Sequence, residues 1–108
     1  FPHGRFRGWA RSDAEGRYRF DTIRPASYPD TREPQHVHLH VLEPGRCTYW
    51  IDSIEFTDDP FLTDEGRERH ASGRGGHGLV TPRRNADGIW LVERDIVLGL
   101  RVPGYPDR

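Results

Sequence analysis

Nine residues constrain this chain most: Glu33-Pro34-Gln35-His36-Val37-His38-Leu39-His40-Val41. The stretch alternates strictly between apolar and imidazole side chains, and successive side chains of an extended strand point to opposite faces. Val37, Leu39 and Val41 therefore share a core face. His36, His38 and His40 form a row on the other, with neighbours spaced by roughly 7 Å along the backbone. Imidazole is the commonest protein metal ligand near neutral pH. Three on one face, opposite a clean apolar stripe, mark a metal or catalytic site; the competing reading is a wet strand face with no ligand.

The rest of the chain reads as short strands and turns. It has 108 residues, enough for one domain with a single core. Only 33% are hydrophobic and 31% are charged, so that core must be thin and the surface highly charged. Twelve glycines and nine prolines argue for many turns and few long helices. Sixteen basic residues against 17 acidic ones, interspersed, argue against a nucleic-acid or membrane surface as the main partner. The single cysteine, Cys47, excludes an internal disulfide and reads as a small strand residue rather than a nucleophile. No apolar run is long enough for a transmembrane helix and no signal peptide is visible. The expectation is a cytoplasmic protein, with secretion as the alternative.

In chain order, residues 5–10 and 17–21 are expected to pair as a hairpin around Ser12–Gly16, with Tyr18 and Phe20 facing the core. Pro25, Pro29 and Pro34 make 23–34 an irregular connection that carries Tyr28. The histidine strand, about 35–42, turns at Glu43-Pro44-Gly45-Arg46 into an antiparallel partner over Cys47–Thr57, which Asp58-Asp59-Pro60 ends. Phe61–His70 allows one short helix, with Thr63 as N-cap and Asp64 and Glu65 in the first turn. Ser72–Gly78 is a glycine-rich loop without the Gly-Lys-Ser/Thr ending of a phosphate-binding loop, and reads as mobile or closely packed beside a site. Leu79–Thr81 is a short strand. Asn85-Ala86-Asp87-Gly88 is a hairpin turn, and Ile89–Leu100 reads as a strand because β-branched and aromatic residues fill it. The predicted architecture is all-β: one antiparallel β-sandwich domain over 1–108, with long loops and at most one short helix.

Residues 13–25 (Asp-Ala-Glu-Gly-Arg-Tyr-Arg-Phe-Asp-Thr-Ile-Arg-Pro), then Tyr28-Pro29, then Pro34-Gln35-His36-Val37-His38, resemble the central block of the intradiol ring-cleavage dioxygenases. That family includes the catechol and protocatechuate dioxygenases. Phe56-Thr57-Asp58-Asp59-Pro60 resembles the strand end that follows there, and the glycine-rich loop with Arg94–Gly99 looks like a smaller branch of the family. The resemblance implies a β-sandwich holding one non-haem Fe(III). Tyr28, His36 and His38 correspond to one tyrosine and two histidine ligands. A hard anionic tyrosinate oxygen favours ferric iron, and imidazole also suits it. The implied reaction opens a catechol-like ring between its two hydroxyl-bearing carbons with O₂, so the implied partners are a small aromatic substrate and O₂; a homo-oligomer is compatible with it.

Two departures matter. The family's other tyrosine ligand aligns before Phe1, so either an N-terminal part is missing or the site has three family-type ligands, with His40 or His77 as substitutes. Where the family often carries an Arg just before Pro-x-His-x-His, this chain has Glu33, and Arg32 is the neighbour that would balance charge on a bound substrate. Two other functions stand beside the dioxygenase. One is a metalloprotein holding Cu or Zn on His36, His38 and His40, without tyrosinate. The other is a non-catalytic β-sandwich binding module.

Overall fold

The computed structural model describes residues 7–106. Its centre is the predicted hairpin: strand β1 (His36–Glu43) and strand β2 (Cys47–Phe56), antiparallel and joined by the Pro44–Arg46 turn. Arg46 N–H closes that turn on the Glu43 carbonyl at 3.0 Å. Helix α1 (Asp64–His70) follows, then strand β3 (Leu79–Val80), which pairs with β2 in parallel and gives the sheet order β1-β2-β3. Strands β4 (Arg83–Arg84) and β5 (Trp90–Leu91) form a separate antiparallel ribbon around the Asn85–Gly88 turn, where Gly88 takes the positive φ of 80° that the Asp-Gly pair foretold. The fold is mainly β with one short helix. The described residues make one three-stranded sheet and one two-stranded ribbon, with the β2–β3 pair parallel rather than antiparallel, so the expected antiparallel sandwich is met only as far as a mainly-β fold.

The register contains a feature the alternation hides. His36 pairs with Glu55 and Val37 with Ile54, but Leu39 pairs with Ile51 and His40 with Trp50. Asp52 and Ser53 thus oppose His38 alone, a bulge of one extra residue on β2. In a regular strand Ile51 and Ile54 would face opposite ways. The extra residue brings Tyr49, Ile51 and Ile54 to the side of Val41, Leu39 and Val37, because directly opposed residues share a face. It leaves the histidine side of the sheet facing Glu55, Ser53 and Trp50. The buried apolar core among the described residues is small, as the composition required: Tyr49, Ile51, Phe56 and Val80.

Helix α1 lies inside the predicted window. Thr63 caps it, its Oγ1 accepting the Gly66 N–H at 3.0 Å, with Asp64 and Glu65 in the first turn. The glycine-rich loop is closely packed. Gly75 has φ +76°, and a Cβ there would lie 2.7 Å from Ile51 Cγ2. The buried Arg94 holds the loop by donating to the carbonyls of Arg74, Gly75 and Gly76, while also reaching the Asp95 carbonyl.

Three expected strands are corrected. Residues 7–10 and 17–21 form no ladder, and Arg5 and Phe6 lie outside the described residues. The Asp13–Gly16 turn does close, Gly16 N–H bonding the Asp13 carbonyl at 3.0 Å. Beyond it Phe20 stays exposed, and Tyr18 instead donates its hydroxyl to the Arg94 carbonyl at 2.5 Å. Of Ile89–Leu100 only Trp90–Leu91 is strand. Arg94 is drawn inward to the loop carbonyls, and Val97 N–H bonds Gly75 O at 2.8 Å, so the segment serves the glycine loop rather than a ladder.

Candidate metal and catalytic site

Three of the predicted ligands meet. The Tyr28 hydroxyl lies 3.3 Å from His36 Nε2, and their rings cross edge-on at 5.2 Å between centroids. The His36 and His38 rings are 4.7 Å apart. Tyr28 comes from the proline-rich connection, and His36 and His38 from the start of strand β1. Each imidazole is also held from behind. His36 Nδ1 is 2.9 Å from the Pro34 carbonyl, which only accepts, so Nδ1 carries the proton and Nε2 presents its lone pair to Tyr28. His38 Nδ1 is 3.1 Å from Ser53 Oγ, on the bulge of β2. Metal-binding histidines are usually oriented by such partners on the second ring nitrogen.

Two atoms bound at about 2 Å to one centre lie about 3 Å apart, close to the Tyr28–His36 separation of 3.3 Å. The other proposed donors are placed differently. His40 is exposed opposite Trp50, one step further along the row. His77 stacks on His70 at 5.9 Å and accepts the Leu79 N–H through Nδ1 at 3.2 Å. Among the described residues no three His, Cys, Asp or Glu side chains are grouped closely enough to hold a metal ion between them. The two candidate substrate residues, Arg32 and Glu33, are both exposed; the Arg32 guanidinium lies over the Phe61 ring at 5.5 Å.

An open groove of about 490 Å³ runs beside His38 and His40, walled by Trp50 and Asp52 and reaching Glu55 and His70. Arg74 stacks on the Trp50 ring at 3.5 Å, fixing that wall. At the inner end His70 Nε2 and Glu55 Oε1 are 2.6 Å apart, both residues buried. Reasoning from sequence missed this pair, and it missed Ser53. The break in alternation at Asp52-Ser53, between apolar positions 49, 51 and 54, 56, was the available signal for the bulge that carries Ser53. Nothing in the local pattern marked the contact between His70 and Glu55, which are 15 positions apart.

Comparison with known proteins adds one relative. Over 60 residues the chain is 35% identical to the protocatechuate 3,4-dioxygenase beta chain of Burkholderia cepacia, a match covering 51% of this chain and 26% of that protein. No family model matches, and no solved structure matches. The chain therefore spans about a quarter of the length of the curated relative it matches, and this weak, partial similarity points to the intradiol dioxygenase family.

Proposed function

We propose that this protein is an intradiol-type dioxygenase that holds non-haem Fe(III) on Tyr28, His36 and His38 and cleaves a catechol-like aromatic with O₂. The observation that carries the reading is the meeting of a tyrosine hydroxyl with a histidine Nε2 whose other nitrogen is already committed to a carbonyl. When bound there, ferric iron would supply the Lewis acidity that draws charge from a catechol ring. The chain's own residues do the rest. With the metal bound, Tyr28 would hold it through a hard phenolate oxygen, its hydroxyl proton passing to solvent, and His36 would hold it through Nε2. The Pro34 carbonyl and Ser53 keep the two imidazoles from turning. The open groove beside His38 would offer an aromatic substrate a wall at Trp50.

The test is Fe(III) content and visible absorption of the purified protein after reconstitution. Near-stoichiometric iron with a tyrosinate-to-iron charge-transfer band, lost in Tyr28→Phe and shifted by added catechol, is the expected result. Failure to bind iron would overturn the reading.

A further inference from the structure

We infer that Asp59 is a positioning residue for His36, acting through the single peptide group between Pro34 and Gln35. Asp59 is 4% exposed, one of two buried acids among the described residues. Its carboxylate takes two backbone N–H groups: Phe61 at 2.9 Å on Oδ1 and Gln35 at 2.6 Å on Oδ2. The first closes its own turn. The second spans 24 positions and fixes the chain just before strand β1.

What that second bond controls follows from peptide geometry. The Gln35 N–H and the Pro34 C=O belong to one planar trans unit and point in opposite directions. Anchoring the N–H on Asp59 aims the carbonyl the other way, where His36 Nδ1 donates to it at 2.9 Å. The resulting chain is carboxylate, peptide, imidazole. It performs the task a carboxylate performs when it bonds a metal-binding histidine directly: it selects the tautomer and the ring orientation. Each bond also polarises the next. A second grip works on the same residue from the side-chain end. Arg24 donates to Gln35 Oε1 at 2.6 Å and clamps Asp58 with both terminal nitrogens, at 3.0 and 2.6 Å. This arm is exposed and holds the Gln35 side chain, so only the Asp59 arm sets the peptide plane.

The inference rests on His36 as a ligand, but its test does not need iron. In the metal-free protein, above about pH 8 where histidines are neutral, nitrogen NMR reads the tautomer of each imidazole. Wild type should show His36 protonated on Nδ1, and a Gln35 amide proton shifted downfield by its short bond to a carboxylate. Asp59→Ala should convert His36 to a mixture of tautomers, leave His77 protonated on Nε2 as an internal control for the fold, and weaken Fe(III) binding by about 10-fold or more. Arg24→Gln should leave the His36 tautomer unchanged. Retention of the Nδ1–H tautomer by folded Asp59→Ala overturns the inference. So does a wild-type His36 protonated on Nε2, a measurement that stands if the variant does not fold. A tautomer shift in a protein that binds no iron would uphold the positioning role while removing the dioxygenase reading.

Discussion

Replacing His70 by Ala should cost this protein much of its stability. His70 ends helix α1, is 3% exposed, and places Nε2 2.6 Å from a carboxyl oxygen of Glu55, itself 8% exposed. Arg69 also reaches Glu55, at 3.8 Å, but its side chain is 68% exposed and cannot replace a buried partner. Removing one member of a buried, hydrogen-bonded pair costs about 3–5 kcal/mol, because the survivor is left in the interior without compensation. The ring also packs against the glycine loop, since a Cβ on Gly78 would sit 3.0 Å from His70 Nδ1. The expected loss is about 3–5 kcal/mol, a large share of the about 5–15 kcal/mol typical of a domain. Urea unfolding followed by far-ultraviolet dichroism measures it, and a cycle with Glu55→Gln isolates the coupling between the two side chains. His70→Gln, which keeps a donor, should lose less. A His70→Ala penalty below about 1 kcal/mol, or a coupling near zero, would show that the pair does not anchor the helix to the sheet.

Two further outcomes follow from single contacts. Gly75→Ala adds a Cβ at 2.7 Å from Ile51 Cγ2 to a residue with φ +76°, so it should lower stability by about 2 kcal/mol or more in the same unfolding assay, whereas a neutral result would mean the loop can move off β2. Burial, and then its hydrogen bond to Glu43, push the Tyr49 hydroxyl up to about 12. A raised acid favours its neutral form in the folded state, so this contribution is intact below the ordinary tyrosine value of about 10 and is lost as pH rises through about 12. Ultraviolet difference titration should show that late ionisation step, and Tyr49→Phe should abolish it.

The sequence was most legible where one local rule acts alone. The His-x-His alternation placed β1, Asp-Gly placed the β4–β5 turn, and Thr63 placed the start of α1, because each is decided by neighbours within a few positions. The meeting of Tyr28, His36 and His38 was also foreseeable, since eight positions and two prolines separate Tyr28 from the strand it meets. Legibility failed where a distant partner decides. Ile89–Leu100 has strand composition throughout, yet a strand needs a neighbouring strand to pair along its length, and β4 offers only two residues. Past Glu93 the backbone finds its partners in the glycine loop instead, with Arg94 supplying donors to carbonyls that no ladder would satisfy. Residues 17–21 fail as a strand in the same way: alternation without a pairing edge leaves Phe20 in solvent. The bulge at Asp52-Ser53 is the instructive intermediate. Its cause, the shift of apolar phase between Ile51 and Ile54, is written in the chain. Its consequence is a serine delivered to His38 Nδ1, which appears only when β2 is laid against the histidine row. The two supports of the candidate ligands thus differ in origin. His38 depends on a defect in the sheet, while His36 depends on a peptide plane pinned by Asp59 in the turn that follows β2, so substitutions at Ser53 and at Asp59 should act on different imidazoles of one site.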